Sequence, residues 1–227
     1  HAEVKALEDS GEERSAAVMT VVGKFLSQAK DIMFEGNGYS REWEIEAESR
    51  GLRPIKNVPE AYEVYHERNT IDLFGSVGVL APNEIDARFE ILNETYVKKL
   101  QIEARIIGDM CLNHVIPAAV KYQNVLIENV KGLKEIFGDE YMQYCSSEIE
   151  TLKKISTYIN NISADVEALV EARKKANRIE SISVRSKAYS RDVKDMMDKV
   201  RVSADNLEML IDDQLWPLPK YRELLFF

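Results

Sequence analysis

Two histidines each lie three residues after an acidic or a sulfur-containing residue. On a helix, side chains at this spacing could bind a metal ion together. Glu63 and His66 form one Glu-x-x-His motif on a predicted helix, whereas carboxylate-bridged di-iron bundles need two such motifs and two further inward glutamates. Cys111 precedes His114 by three residues, but two ligands do not complete a zinc site. We therefore expect a solvated helix face at the first pair, and a buried thiol with a hydrogen-bonded histidine at the second. We predict no catalytic and no metal-binding residue.

A glycine-containing turn, Gly36-Asn37-Gly38, comes just before a predicted helix that begins after Ser40. Such a turn could resemble a phosphate-binding loop. It lacks the Gly-Lys-Ser/Thr ending of a P-loop, and a dinucleotide-binding fingerprint would need a preceding strand. A helix C-terminus followed by a helix N-cap explains each of these residues. We expect no cofactor to bind at this turn.

The charged clusters are short and lie on predicted helices. Four alternating glutamates between residues 42 and 48 point in different directions at 100° per residue, so they predict a solvated surface. Basic clusters at 173–175 and Lys121-Tyr122 are typical of exposed helix positions. The net charge of −9 argues against nucleic acid and anionic membranes as partners.

The elements that must position these residues are predicted to be helices almost throughout. Ten glycines and six prolines in 227 residues are too few for the frequent turns of an all-β fold. Ser40 is a predicted helix N-cap, and Asn57-Val58-Pro59-Glu60 is predicted to open another helix with an early proline and an acid in its first turn. Pro117 is predicted to kink a long helix. The predicted helices run from about residue 12 to 34, 41 to 50, 59 to 74, and 83 to a break near Gly138.

Two apolar seams in the C-terminal half predict an antiparallel helical hairpin. Both seams repeat every three or four residues, and the first is a strict heptad that favours left-handed packing on a partner helix. The chain is predicted to turn between residues 177 and 183. The first seam comprises Leu152, Ile155, Ile159, Ile162, Val166 and Leu169, and the second Val193, Met196, Val200, Ala204, Leu207 and Ile211.

The last twelve residues predict an extended arm that docks on a surface. Two prolines restrict its backbone, and its large apolar side chains each favour burial by roughly 1.5–3 kcal/mol. The predicted anchors are Trp216, Leu218, Tyr221, Leu224 and Phe226. The arm could fold back on its own bundle or dock on a neighbouring domain or subunit.

Three stretches of the sequence resemble the type III glutamine synthetases. They are residues 215–226 (LWPLPKYRELLF), 34–40 (FEGNGYS) and 112–124 (LNHVIPAAVKYQN), and they occur in the order of that family. The resemblance extends over about residues 24–227, which makes this chain similar to the C-terminal part of those enzymes: a tail of the catalytic domain followed by an additional helical region.

The resemblance implies a full-length enzyme that joins ammonia to glutamate through a γ-glutamyl phosphate, using ATP and Mg²⁺ or Mn²⁺. It also implies rings of identical subunits. No catalytic or cofactor-binding position of the family can be transferred to this chain, so we expect it to be inactive alone. Its expected partners are the upstream catalytic domain and neighbouring identical subunits. Lys121, Tyr122 and Lys220 are the residues that could reach a neighbouring active site, and none is assigned as catalytic.

We therefore predict an all-α, up-and-down helical bundle with a long antiparallel hairpin and an extended C-terminal arm. Residues 1–138 would be a helical segment continuing from the catalytic domain, 139–215 the hairpin, and 216–227 the docking arm. No run of eighteen apolar residues and no signal peptide is evident, and two cysteines fit a reducing compartment, so we expect a cytoplasmic protein. The alternative is a stand-alone helical adaptor that binds a partner helix through the seam of residues 152–169.

Overall fold

The fold is a set of helices, as the apolar spacing predicts. The computed structural model describes residues 1–225, apart from the side chains of Tyr221 and Arg222. No β-strand occurs among them, and this confirms the predicted all-α helical bundle. The α-helices are α1 (Ala2–Asp9), α2 (Arg14–Gln28), α3 (Arg41–Ser49), α4 (Val58–Glu63), α5 (Arg68–Ser76), α6 (Pro82–Met110), α7 (Ile116–Phe137), α8 (Met142–Asn177), α9 (Ile182–Ala188) and α10 (Lys194–Glu208).

Two compact units divide the chain, His1–Lys56 and Asn57–Phe227. The first contains α1 to α3. Ser40 caps α3 by accepting a hydrogen bond from the Trp43 amide at 3.3 Å, as predicted. The Trp43 ring stacks on Phe34, with ring centroids 4.3 Å apart. These contacts hold the segment between α2 and α3 without a large core.

The helix predicted over residues 12–34 is shorter in the structure. The α-helix ends at Gln28, and a 3₁₀ turn follows at Lys30–Ile32. The guanidinium of Arg50, at the end of α3, donates to the Met33 carbonyl at 2.6 Å. A side chain distant in sequence therefore satisfies a backbone carbonyl in the segment that follows the 3₁₀ turn.

The second unit begins with short helices. A helix opens at Asn57-Val58-Pro59-Glu60 as predicted, and Asn57 caps it, because its Oδ1 accepts from the Glu60 amide at 3.0 Å. The single helix predicted over residues 59–74 is wrong: a 3₁₀ turn at Val64–His66 and an extended backbone at Glu67 separate α4 from α5. The long helix α6 begins at Pro82, and the Glu84 side chain accepts from the Ala81 amide at 2.7 Å.

The irregularity predicted at Pro117 lies just before it, as a π-helical turn at Cys111–Val115. Proline has no amide hydrogen to donate and its ring clashes with the carbonyl four residues earlier, so a widened turn there avoids both problems. A second π turn, Tyr189–Val193, joins α9 to α10. Helix α7 ends at Phe137, and the next residue is Gly138, whose φ of +57° favours glycine.

The hairpin is formed by α8 and the segment from α9 to α10, and the chain turns between Asn177 and Ser181. Cys145 interrupts α8 near its start with a non-helical backbone. The core of this unit joins the two seams to residues of α6 and α7. Its fully or almost fully buried members include Ala104, Ala119, Ile155, Ile162, Leu169, Tyr189, Val193, Val200 and Leu207. Within the described part of the chain, no helix is both long and apolar enough to span a bilayer.

Candidate functional site

The C-terminal arm starts with a turn that reverses the chain after α10. The Ile211 amide donates to the Leu207 carbonyl at 3.0 Å, which closes the helix. Asp212 then organises the next turn: its carbonyl accepts from the Trp216 amide at 3.0 Å, and its Oδ1 accepts from the Gln214 amide at 2.8 Å. An aspartate that bonds its own following backbone in this way is a common turn former. The turn sets the direction in which the arm leaves the helix.

Trp216 lies in the core of its own unit. It is only 8% exposed and belongs to the main cluster of buried residues, and Leu218 packs against that cluster. The indole Nε1 is also buried, and no acceptor for its proton lies among the described residues. Burying an unpaired donor costs about 1–3 kcal/mol. Apolar burial of the ring therefore outweighs a lost hydrogen bond at this position.

Lys220 ties the arm to the end of α10. Its Nζ donates to the Glu208 carbonyl at 2.9 Å and forms an ion pair with Asp213. A lysine at this place compensates the partial negative charge of the last helix carbonyls. The side chain that could reach a neighbouring active site is thus engaged within the chain. This role could not be recognised in the sequence, because Lys220 lies twelve residues after the end of α10 and no local pattern identifies such a lysine.

The described residues at the tip of the arm are exposed to solvent. A 3₁₀ turn, Tyr221–Leu224, follows Lys220, and the Glu223 side chain accepts from the Lys220 amide at 3.2 Å. Leu224 and Leu225 are exposed by 52% and 63%. The predicted anchor Phe226 lies outside the described residues. The arm therefore has a seated part, at Trp216 and Leu218, and an exposed part, at Leu224 and Leu225, and docking of the latter on a neighbouring subunit stays a prediction.

An apolar pocket of about 440 Å³ lies beside the seated part of the arm. Its walls come from α6, the π turn at Cys111–Val115, α10 and the arm, and include Ile107, Met197, Trp216 and Leu218. Glu103 and Glu208 also line it, so its wall carries negative charge as well as apolar surface. The arm does not fill the space next to its own tryptophan.

The two residues of the Glu-x-x-His motif have separate partners. The Glu63 carboxylate accepts from Ser183 Oγ at 2.7 Å and pairs with Lys187 Nζ at 2.9 Å. The His66 Nε2 lies 3.1 Å from the Asp86 carboxylate, and its ring packs on Phe89. Partial burial raises the pKa of Glu63, but the contacts with Ser183 and Lys187 lower it more, so the net pKa lies below its usual value. This pair connects α4 to α9 and α6 rather than facing one common ligand.

Cys111 and His114 lie on different sides of the π turn. Cys111 is buried, whereas His114 is exposed. Burial raises the pKa of the Cys111 thiol to about 11, so the thiol stays protonated at neutral pH. The buried thiol agrees with the prediction, and the exposed histidine replaces the hydrogen-bonded one that the sequence suggested.

Lys121 is exposed on α7, whereas Tyr122 packs partly against the main core cluster. Across residues 1–225, the structure brings together no group of three or more His, Cys, Asp or Glu side chains that fits a metal ion. Ser40 caps α3 as predicted, whereas Gly36 and Gly38 lie in the irregular segment after the 3₁₀ turn Lys30–Ile32 rather than at the C-terminus of α2, where the sequence predicted them.

The sequence model of the glutamine synthetase C-terminal domain matches residues 17–134, just over half of the chain. A glutamine synthetase of Bacteroides fragilis is 39% identical over 226 residues, covering 99% of this chain and 31% of its own length. A type-3 glutamine synthetase of Dictyostelium discoideum is 31% identical over 219 residues, covering 94% and 29%.

A glutamine synthetase of Butyrivibrio fibrisolvens is 30% identical over 217 residues, covering 96% of this chain and 31% of its own length. The chain thus spans about a third of the length of the curated relatives it matches, and it aligns with their C-terminal part. The matched domain contains most of α2, all of α3 to α6, the π turn at Cys111–Val115 and most of α7. The chain therefore belongs to the glutamine synthetase C-terminal domain family.

Proposed function

We propose that this chain is the C-terminal helical region of a type III glutamine synthetase, an ATP-dependent glutamate–ammonia ligase of nitrogen assimilation. The observation that carries the proposal is the match along almost the whole chain: 226 residues align with a relative named glutamine synthetase at 39% identity. A shared fold alone would not support an activity, but an alignment of this length and identity supports common descent with those enzymes.

In this proposal the chain has a structural role and no active site of its own. ATP and Mg²⁺ or Mn²⁺ would bind in the catalytic part that precedes the matched region in the relatives. The roles of the candidate residues support this division: Glu63, Cys111 and Lys220 are engaged in packing or in contacts within the chain. What the helical region would provide is a rigid support for the catalytic domain.

We further propose that the full enzyme is a homo-oligomeric ring in the cytoplasm, without nucleic acid or membrane partners. Residues 1–138 would continue from the catalytic domain, 139–215 would be the hairpin, and 216–227 the docking arm. The exposed Leu224 and Leu225 support an assembly role for the tip of the arm, because large apolar side chains at an exposed terminus favour burial against a neighbour.

The adaptor hypothesis requires the seam of residues 152–169 to be accessible to a partner helix, and much of this seam is buried. Ile155, Ile162 and Leu169 of the first seam are buried within the chain, in the cluster that also contains Val200 and Leu207 of the second seam. A partner helix would first have to displace α10. We therefore favour the ligase proposal.

The test is an activity assay on the native polypeptide that contains residues 216–227. We expect it to be much heavier than 26.0 kDa and to form glutamine from glutamate, ammonia and ATP with Mg²⁺ or Mn²⁺. The 227-residue chain, assayed in the same way, should be inactive. A native product near 26.0 kDa, or a heavy product without ligase activity, would overturn the proposal.

The assembly role of the arm has its own test in the full polypeptide. Leu224→Asp should weaken subunit association, because it places a charge in a surface that would be buried between subunits. Met209→Asp is the matched control, since Met209 is also exposed but lies at the end of α10, before the arm. Analytical ultracentrifugation measures the assembly. If both variants assemble as the unsubstituted polypeptide does, the arm has no docking role.

A further inference from the structure

Helix α2 has two apolar faces, and only one of them is covered. Ala17 and Val21 are buried on the side that packs on α1, and on that side Lys24 pairs with Glu3 of α1 at 2.8 Å. A second group of apolar residues, at helical spacings of one, four, seven and eight, is exposed by 39% to 71%. We call this group the α2 face; it comprises Val18, Met19, Val22, Phe25 and Leu26.

The unit that contains the α2 face has little core of its own. Among residues 1–56, the buried hydrophobic side chains are Ala17, Val21 and Ala47. A unit of this size needs most of its apolar surface covered to be stable. A helix that is apolar on more than one side is normally enclosed by further protein. The α2 face is therefore typical of an interior surface whose partner is another protein segment.

The chemistry of the α2 face restricts that partner. The charged residues of α2 are Arg14, in its first turn, and Lys24, which points toward α1. No charged residue lies between Val18 and Leu26 on the exposed side. A surface without charge offers nothing to a polar ligand or to nucleic acid, and it fits an apolar protein surface of similar size.

We infer that the α2 face packs against the catalytic part of the same polypeptide, the region that precedes the matched third in the relatives. This inference rests on the proposed function and adds to it the surface that joins the two parts. About two-thirds of each relative lies outside the alignment, N-terminal to it. Because α2 lies near the N-terminal end of the aligned region, it is among the matched elements nearest to that part along the chain.

Two matched cysteine variants test the inference by thiol accessibility. Val22→Cys places a thiol in the α2 face, and Thr20→Cys places one on the opposite, polar side of the same helix, where Thr20 is also exposed. Both replace a β-branched residue of similar size. Reaction with a maleimide reports mainly on the new thiol, because Cys111 and Cys145 are buried.

In the 227-residue chain we expect the two thiols to react at comparable rates. In the full polypeptide we expect the Val22→Cys thiol to react at least about tenfold more slowly, since it reacts only when the contact opens, whereas the Thr20→Cys thiol keeps its rate. Equal rates for both thiols in an active ligase would overturn the inference and leave the proposed function intact. Absence of ligase activity in the unsubstituted full polypeptide would instead count against the proposed function.

A cross-link identifies which chain covers the face. Phe25 is replaced by p-benzoylphenylalanine in the full polypeptide, and light and heavy isotopic forms are co-assembled before irradiation. Cross-links between the α2 face and the catalytic part within one isotopic form support the inference. Cross-links only between light and heavy forms, or only to residues of the 227-residue chain, would overturn it.

Discussion

At the residue scale, Glu63 shows how distant contacts decide what a side chain does. Its carboxylate is held by Ser183, 120 residues further along the chain, and by Lys187. Both partners belong to α9, and Glu63 closes α4. The Glu-x-x-His spacing is visible in the sequence, but its partners are not. The glutamate therefore serves as a link between two helices.

This link predicts a stability that depends on pH. The folded pKa of Glu63 lies below its usual value of 4.5, so the ionised carboxylate stabilises the fold above that value, and this contribution is lost as pH falls through the lower folded pKa. Glu63→Gln should cost less than about 1 kcal/mol at pH 7, because the pair is partly exposed. The difference from the unsubstituted chain should vanish in acid.

Urea unfolding of the 227-residue chain at neutral and acid pH measures this difference. Glu90→Gln is the control, because Glu90 is a glutamate exposed on α6. A difference that is as large in acid as at pH 7 would show that the charge of Glu63 is not what stabilises the fold.

At the element scale, the hairpin depends on the seam between α8 and α10. Ile162 is fully buried in α8, whereas Ile136 of α7 is 74% exposed. Ile162→Ala should lower the free energy of unfolding by about 2–5 kcal/mol, through lost burial and a cavity. Ile136→Ala removes the same atoms from an exposed position and should change stability by less than about 0.5 kcal/mol. Urea-induced unfolding followed by circular dichroism compares the two, and equal losses would contradict a seam-dominated core.

The seam was predictable because burial at three- and four-residue spacing is a property of the local sequence. Ser40 and Asn57 were predictable as caps for the same reason, since their bonds reach only three residues ahead. The contact of Arg50 with the Met33 carbonyl was not predictable, because the two residues lie seventeen positions apart in the sequence. The burial of Trp216 in its own unit does not follow from the sequence, because either a bundle surface or a neighbouring subunit could cover an apolar arm.

At the scale of the whole molecule, the two units differ in how much apolar surface they bury. The unit from Asn57 onward contains the main core cluster, whereas residues 1–56 bury few side chains. Hydrogen exchange of the 227-residue chain should therefore be at least about tenfold faster for the amides of α2 than for those of α8 and α10 near Ile162 and Val200. Mass spectrometry of peptides from each helix measures this, and equal protection would mean that the first unit is as stable as the second.

Each unit also contains one tryptophan. Trp43 is partly exposed and stacked on Phe34, and the Arg50 guanidinium lies 5.5 Å from its ring centre. Trp216 is enclosed in an apolar core with its indole N–H unpaired. Indole fluorescence shifts to shorter wavelength in apolar surroundings. The two tryptophans should therefore differ in emission maximum and serve as two intrinsic fluorescence probes. Replacing either one with phenylalanine isolates the signal of the other unit, so the melting of each unit becomes visible without an added dye.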